Sequence, residues 1–187
     1  MHNHKFQYKE EERRKRQNPE EILNSIGLKK NDTFIDLGCN DGFFTIPAAK
    51  IVGELGKVYA ADIDTDAISR LQQKAKDQNI VNIETKVDKA ENIIFNKGIA
   101  DIIFLGTVLH DFENPIKVLQ NSNLMLKNSG IIVDFDWRKD SSELGPPQDI
   151  RLSLEDVSKI SEQSGLKIIE EKNISNLFYQ ITLSKSI

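Results

Sequence analysis

One cysteine in 187 residues already narrows the possibilities. Cys39 alone excludes an internal disulfide and a multi-cysteine zinc site. Histidine is nearly as scarce, with three in all. His2 and His4 have no carboxylate or thiol partner beside them, so they read as a polar terminus, and no metal site is expected. No apolar run reaches the ~18 residues of a membrane span. Met1 to Glu12 is polar throughout and does not open as a charged-then-apolar signal segment, so a cytoplasmic location is the expectation. A basic surplus is missing too. The formal net charge is −4 and the pI about 5.5, the opposite of a general nucleic-acid binder. The exception is Arg13-Arg14-Lys15-Arg16. It reads either as a solvated helix face paired with Glu10 to Glu12 or as a cap over an anionic substrate. Repeats, low-complexity tracts and linkers are absent, so one domain is expected, an arm over 1–17 followed by a folded unit over 18–187.

What is present centres on Phe34-Ile-Asp-Leu-Gly-Cys-Asn-Asp-Gly-Phe-Phe44. Thr33 to Leu37 reads as a buried strand that runs into a tight turn. Gly38 and Gly42 fall where the backbone comes close to something or takes φ > 0. Asn40, between them, is the residue type that next best tolerates left-handed geometry. Asp36 sits near the strand end, and Asp62 ends the next predicted strand. Strand, glycine turn, helix, strand and acid, in that order, build a nucleotide pocket at the carboxyl ends of parallel strands. The dinucleotide fingerprint GxGxxG is not met, because Asn40 and Phe43 stand where it needs glycines.

The remaining pattern alternates. Asn18-Pro19 opens a helix with Ile22, Leu23 and Ile26 on one face, and Gly27 stops it. A helix is predicted over Phe43 to Val52, with Ile46, Ala49 and Ile51-Val52 inward, and a strand over Lys57 to Asp62. Asp64 or Thr65 caps a helix that faces inward through Ile68, Leu71 and Ala75. Asn82 to Val87 is a short strand. Ile99 to Leu105 is almost wholly apolar, as a central strand covered on both faces should be. Asn114-Pro115 opens a helix with Ile116, Leu119 and Leu126 inward, and Ser129-Gly130 is read as a turn into a strand over Ile131 to Phe135. Ser153 to Asp156 starts a last helix in a capping-box pattern. Leu166 to Ile174 and Leu177 to Leu183 close the chain as a hairpin. Alternation implies a parallel sheet with helices on both faces, and the hairpin implies one antiparallel strand.

The central stretch resembles the Asp-x-Gly-x-Gly-x-Gly signature of class I S-adenosylmethionine (SAM) methyltransferases, with Asn40 in place of the middle glycine. The chain is most similar to the small-molecule branch that includes ubiquinone and menaquinone biosynthesis enzymes. There a Val-Leu-His-His or Val-Leu-His-Asp run follows strand 4, as Val108-Leu109-His110-Asp111 does here. The resemblance covers residues 18–185. It implies a Rossmann-like α/β fold with a seven-stranded sheet of order 3-2-1-4-5-7-6, strand 7 antiparallel, and a SAM cofactor that leaves as S-adenosylhomocysteine. It also implies roles for particular residues. Asp36 and the loop Gly38, Cys39, Asn40, Gly42 and Phe43 would hold the methionine part. Asp62 would take the ribose hydroxyls and Ile63 would pack on the adenine. Asp88, Lys89 and Ala90 would border the adenine, and Leu105 and Gly106 would lie along the cofactor.

Methyl transfer from a sulfonium needs alignment and exclusion of water, and a base only if the acceptor loses a proton. His110, with Asp111, is the catalytic candidate; the alternative is that His110 packs beneath the cofactor. Trp137, Arg138, Lys139 and Arg151, around Gly145-Pro146-Pro147, are candidates for holding the acceptor. The exocyclic amines of nucleic-acid bases, C5 of cytosine in RNA, and arsenite are disfavoured as acceptors. Gly106 to Leu109 replaces the Pro-Pro-aromatic motif of the first, and a single cysteine fails the other two. A small-molecule acceptor methylated at O or C is therefore expected. The rivals are an RNA or protein methyltransferase using Arg13 to Arg16, and a non-catalytic SAM-binding partner subunit. The oligomeric state is not encoded legibly.

Overall fold

The computed structural model describes residues 10–141 and 144–186. His2 and His4 lie outside the described residues. Two short helices come first, α1 (Glu10–Arg16) and α2 (Pro19–Ser25). Then β1 (Thr33–Leu37), α3 (Thr45–Val52), β2 (Lys57–Asp62), α4 (Thr65–Asp77) and β3 (Ile83–Val87) alternate. They are followed by β4 (Ala100–Gly106), α5 (Pro115–Met125), β5 (Leu126–Trp137), α6 (Leu154–Gln163), β6 (Leu166–Asn173) and β7 (Phe178–Lys185). The sheet order is β3-β2-β1-β4-β5-β7-β6. β7 runs antiparallel to both β5 and β6, and the pairs from β3 to β5 are parallel. This is the order and the strand sense that the resemblance implied.

Helices cover both faces. On one, α2 and α3 bury Leu23, Ala48 and Val52 against Phe34, Phe104 and Phe135 of the sheet, with α4 alongside through Ile68 and Leu71. On the other, α5 and α6 bury Leu119, Met125 and Val157 against Ile103, Leu105 and Ile132. β4 feeds both cores, so it is apolar at successive positions, whereas a half-exposed strand would alternate. Aromatic rings form a continuous row under the open end of the sheet. Phe34 meets Phe104, Phe104 meets Phe44, and Phe44 meets Phe135. Phe135 and Trp137 both meet Phe178, with centroids 5.0 and 4.4 Å away.

Local signals account for the element ends. Asn18 accepts from Glu21 N–H with Pro19 in the first turn, and Asp64 accepts from Asp66 and Ala67 N–H. Ser153 and Asp156 form a reciprocal capping box. Three expectations are corrected. The helix after the glycine turn starts at Thr45, not Phe43, because Cys39 to Phe44 is consumed by turns. Ser129-Gly130 is an irregularity inside a longer β5: pairing passes from Ala100↔Leu126 to Ile102↔Ile131, and a Cβ on Gly130 would lie 2.7 Å from Ala100 O. Ile116 is only half-buried; Val118, Ser122 and Met125 line the inner face of α5 instead, whereas Ile51 packs against the core as expected. No helix of the described residues is long and apolar enough to cross a membrane.

Candidate active site

A cleft of about 900 Å³ opens at the carboxyl ends of β1, β2 and β4, under the turns that leave them. Its floor on one side is the glycine turn. Gly38, Asn40 and Gly42 have φ of 77°, 48° and 93°, all left-handed. Asn40 therefore holds the conformation a glycine would hold there. Its N–H donates to Asp62 Oδ2 at 2.7 Å, and its own Oδ1 accepts from Asp41 N–H at 2.7 Å. The missing Cβ atoms serve packing as well as geometry. A Cβ on Gly38 would lie 2.5 Å from Val108 Cγ2, and one on Gly42 would lie 2.5 Å from Leu71 Cδ1. The turn after β1 and the turn after β4 thus touch only because Gly38 is bare.

Asp62 ties this floor together. Its second oxygen accepts from Asp64 N–H at 2.9 Å, so one carboxylate anchors the glycine turn and the start of α4. Each oxygen keeps a lone pair for a ligand hydroxyl. Ile63 follows, 53% exposed although apolar, and faces the cleft. Asp88, Lys89 and Ala90 also line it. Asp88 accepts from Lys89 N–H and Asn92, which holds its carboxyl below the usual range, and Lys89 pairs with Glu113 at 2.8 Å.

Four cofactor candidates stand behind the lining: Asp36, Cys39, Gly42 and Leu105. Asp36 is buried and accepts from Thr45 Oγ1 at 2.6 Å; burial pushes its carboxyl up to about 7. Cys39 packs beside Ile46 and Ile68, and burial raises its thiol far above the ordinary range, so it is inert.

The other wall is built from β4, β5 and their turns. Gly106 lines the cleft, and a Cβ there would meet Phe104 at 2.7 Å and Phe44 at 2.9 Å. Thr107 takes φ 59°, a strained conformation for a β-branched residue, held by its N–H donating to Phe135 O at 2.7 Å. That reversal carries Val108 to Asp111 back over the opening. His110 lines the cleft with only 4% of its side chain exposed. Its Nδ1 lies 2.8 and 2.9 Å from the two oxygens of Asp136, of which Oδ1 also accepts from Trp137 N–H. Asp111 lies 3.6 Å from Nε2, too far for a hydrogen bond. A carboxylate only accepts, so in the neutral imidazole Nδ1 carries the proton and Nε2 keeps its lone pair. Burial pulls the His110 pKa down, but the Asp136, Asp111 and Asp134 charges outweigh it, and the net shift is upward from 6.5.

Asp136 was not among the sequence candidates. The available signal was a pair of acids, Asp134 and Asp136, on one face of a central strand, where a buried carboxylate must find a partner. Asp134 finds Tyr179, whose hydroxyl donates at 2.9 Å; burial, reinforced by Asp136, raises its carboxyl well above the usual range. Of the acceptor candidates, Trp137 lines the cleft, together with Gly145, Pro146 and Phe178. Arg138, Lys139 and Arg151 do not. Arg138 forks onto Asp140, and Lys139 lies 3.5 Å from Asp156. Arg151 is buried and donates to the carbonyls of Pro146, Arg138 and Leu144 and to Ser141 Oγ. It holds the roof loop in place.

The comparisons with known proteins agree with this fold. A family model described as a methyltransferase domain matches residues 28–179. The chain belongs to that methyltransferase family. A probable cobalt-precorrin-6B C(15)-methyltransferase (decarboxylating) of Sulfurisphaera tokodaii is 36% identical over 114 residues, 59% of this chain and 56% of that protein. A demethylmenaquinone methyltransferase of a Geobacillus species is 26% identical over 114 residues, 61% of this chain and 49% of the relative. The matched stretch thus spans about half the length of these curated relatives. A SAM-dependent methyltransferase from Aquifex aeolicus superposes with a TM-score of 0.83 at 26% identity, covering 89% of this chain and 88% of the other.

The cleft of this chain fits the family's cofactor, S-adenosylmethionine, in its donor set. An acid with spare lone pairs stands beside an exposed apolar side chain, as a ribose and an adenine need, and a left-handed turn lies on the same floor.

Proposed function

We propose that the protein transfers the methyl group of SAM to a small, flat acceptor bearing a weakly acidic hydroxyl. Methylation falls on that oxygen or on a carbon that its ionisation activates. The observation that carries this reading is the His110–Asp136 pair at the cleft wall. Asp62 and Ile63 would hold the ribose and adenine, Asp88 to Ala90 would border the adenine, and Gly38, Asn40, Phe43 and Gly106 would flank the methionine part. Asp36 would act from behind the turn.

Bound SAM supplies an electrophilic methyl group. The chain's own residues do the rest. His110 Nε2 takes the hydroxyl proton, and Asp136 steadies the resulting imidazolium through Nδ1–H. Trp137 is packed on one face by Gly145, with an added Cβ at 2.7 Å, and Phe178 and Pro146 complete an apolar roof that excludes water. No acceptor candidate bearing a positive charge lines that side of the cleft, which favours a neutral acceptor. The basic run is also partly committed within the fold, since Arg14 pairs with Glu10 and Glu20; this disfavours an RNA acceptor.

The test is methyl transfer from labelled SAM across a panel of phenols, enols, amines and RNA, followed by pH–rate profiles. Turnover on hydroxylated rings should rise with pH through the raised His110 pKa, because the base works only when neutral. Asp136→Asn should cut kcat by about 100-fold and shift that limb to lower pH. Turnover confined to amines or RNA, or a pH limb unmoved in Asp136→Asn, sinks the assignment.

A further inference from the structure

Behind the His110–Asp136 pair lie two more buried polar groups, Asp134 and Tyr179. Asp134 and Asp136 alternate with Val133, Phe135 and Trp137 along β5, so both carboxyls point to the face covered by α5 and α6. Asp134 is 0% exposed and Asp136 2%. Tyr179 stands on β7 directly opposite Asp136, yet its hydroxyl reaches diagonally to Asp134 Oδ2 at 2.9 Å. Asp136 is thereby left to His110 and to Trp137 N–H. The other oxygen of Asp134, Oδ1, is buried and has no hydrogen-bond partner among the described residues.

That arrangement couples Asp134 to His110. Its hydrogen-bond partner is a neutral phenol, which burial and both aspartates hold in the protonated form. Two carboxylates on one dry face resist ionising together, and burial with the Asp136 charge keeps Asp134 well above the usual carboxyl range. His110 is the group on this face that can turn positive, and each of the two charges favours the other. The surrounding charges are few. Asp111, on the same turn as His110, lies 3.6 Å from Nε2. From α6, Asp156 acts on Tyr179, but it is tied to Ser153 and lies 3.5 Å from Lys139.

We propose that Asp134 and Tyr179 are positioning residues of the base: Tyr179 holds the Asp134 carboxyl beside Asp136, and Asp134 adds its charge to that of Asp136 when His110 carries a proton. This rests on the reading of His110 as the base. Neither residue lines the cleft, so both act through the His110–Asp136 pair. Diverting the phenol serves the same end. A tyrosine hydroxyl on Asp136 would compete with Nδ1–H for its lone pairs and weaken its hold on the imidazolium.

The probe is an NMR titration of the His110 ring in the full chain, its signal identified among the three histidines by its loss in His110→Gln. In the wild type it should titrate above 6.5. Asp134→Asn keeps the shape and removes the charge, so it should lower the His110 pKa by about half a pH unit or more, roughly threefold in proton affinity. Tyr179→Phe strips Asp134 of its donor and makes its charge harder to hold, so it should move His110 the same way by a smaller step. Adding Tyr179→Phe to Asp134→Asn should change the titration by less than about 0.2, because Tyr179 acts through Asp134. Thermal melts followed by circular dichroism check that the variants fold; if Asp134→Asn does not, Tyr179→Phe decides. A lowered melting temperature with the His110 titration unmoved, or a His110 pKa raised by Asp134→Asn, overturns the proposal and reduces the pair to a piece of the core. The titration needs neither cofactor nor acceptor, so its failure leaves the base itself to be judged by the Asp136→Asn rate profile. A wild-type His110 titrating at or below 6.5 would remove the paired base and this inference together.

Discussion

The two halves of the cleft are held by different kinds of contact. On the side proposed for the cofactor, the floor is shaped by backbone: left-handed residues at 38, 40 and 42, and N–H groups that converge on Asp62. On the side proposed for the acceptor, the wall is shaped by side chains far apart in sequence. His110 meets Asp136 across 26 positions, Tyr179 meets Asp134 across 45, and Arg151 gathers the carbonyls of Arg138, Leu144 and Pro146. A backbone-built floor suits a ligand that never changes. A side-chain-built wall can be re-specified by a few substitutions without disturbing the sheet, which fits a family that acts on many acceptors.

That contrast can be broken from either side. The largest effect is expected at Gly38→Ala. A Cβ 2.5 Å from Val108 at φ 77° should cost about 2–4 kcal/mol in chemical denaturation, because overpacking adds to left-handed strain. Arg151→Met should come next, at roughly 2–3 kcal/mol, since it leaves several loop carbonyls without donors. SAM affinity should survive this change while acceptor turnover falls; a matching loss of SAM binding would show that the two halves are not separable. Asp62→Ala should weaken SAM binding more than tenfold, about 1.4 kcal/mol, by calorimetry. Unchanged affinity would remove the ribose assignment. Asn40→Gly should be the mildest, changing SAM affinity by less than about threefold, because Asn40 already holds φ 48°. A large gain in that variant would mean that the asparagine side chain obstructs the cofactor.

The pH dependence of stability sharpens the same comparison. Asp36 on the cofactor side has its folded pKa raised to about 7, so it favours folding below its ordinary value of 3.8, and that favour is lost as pH rises from there toward 7. His110 on the acceptor side also has a raised folded pKa. Its contribution is full below 6.5 and disappears as pH climbs through the raised value. Removing Asp36 should flatten the melting-temperature profile between pH 4 and 7, and removing His110 should flatten it only above about 6.5.

The sequence by itself determined the sheet, its order through the family signature, the glycine turn and the acids that end β1 and β2. These depend on short-range rules: apolar periodicity, capping residues and a left-handed turn each leave a mark within a dozen positions. The start of α3 and the bulge at Gly130 were missed because turn and bulge residues look alike until a neighbouring strand fixes the register. Only the tertiary structure decided which charges reach the cleft and which hold the fold. Arg138, Lys139 and Arg151 read as acceptor contacts in a line of letters. In three dimensions Arg138 and Lys139 lie beside acids outside the cleft, and Arg151 is buried under the roof loop. Asp136 was invisible as a partner of His110, and so was the placing of Arg13 over the Phe43 ring. Both properties depend on which distant group arrives, or fails to arrive, within a few ångströms, and burial then sets how much that distance is worth.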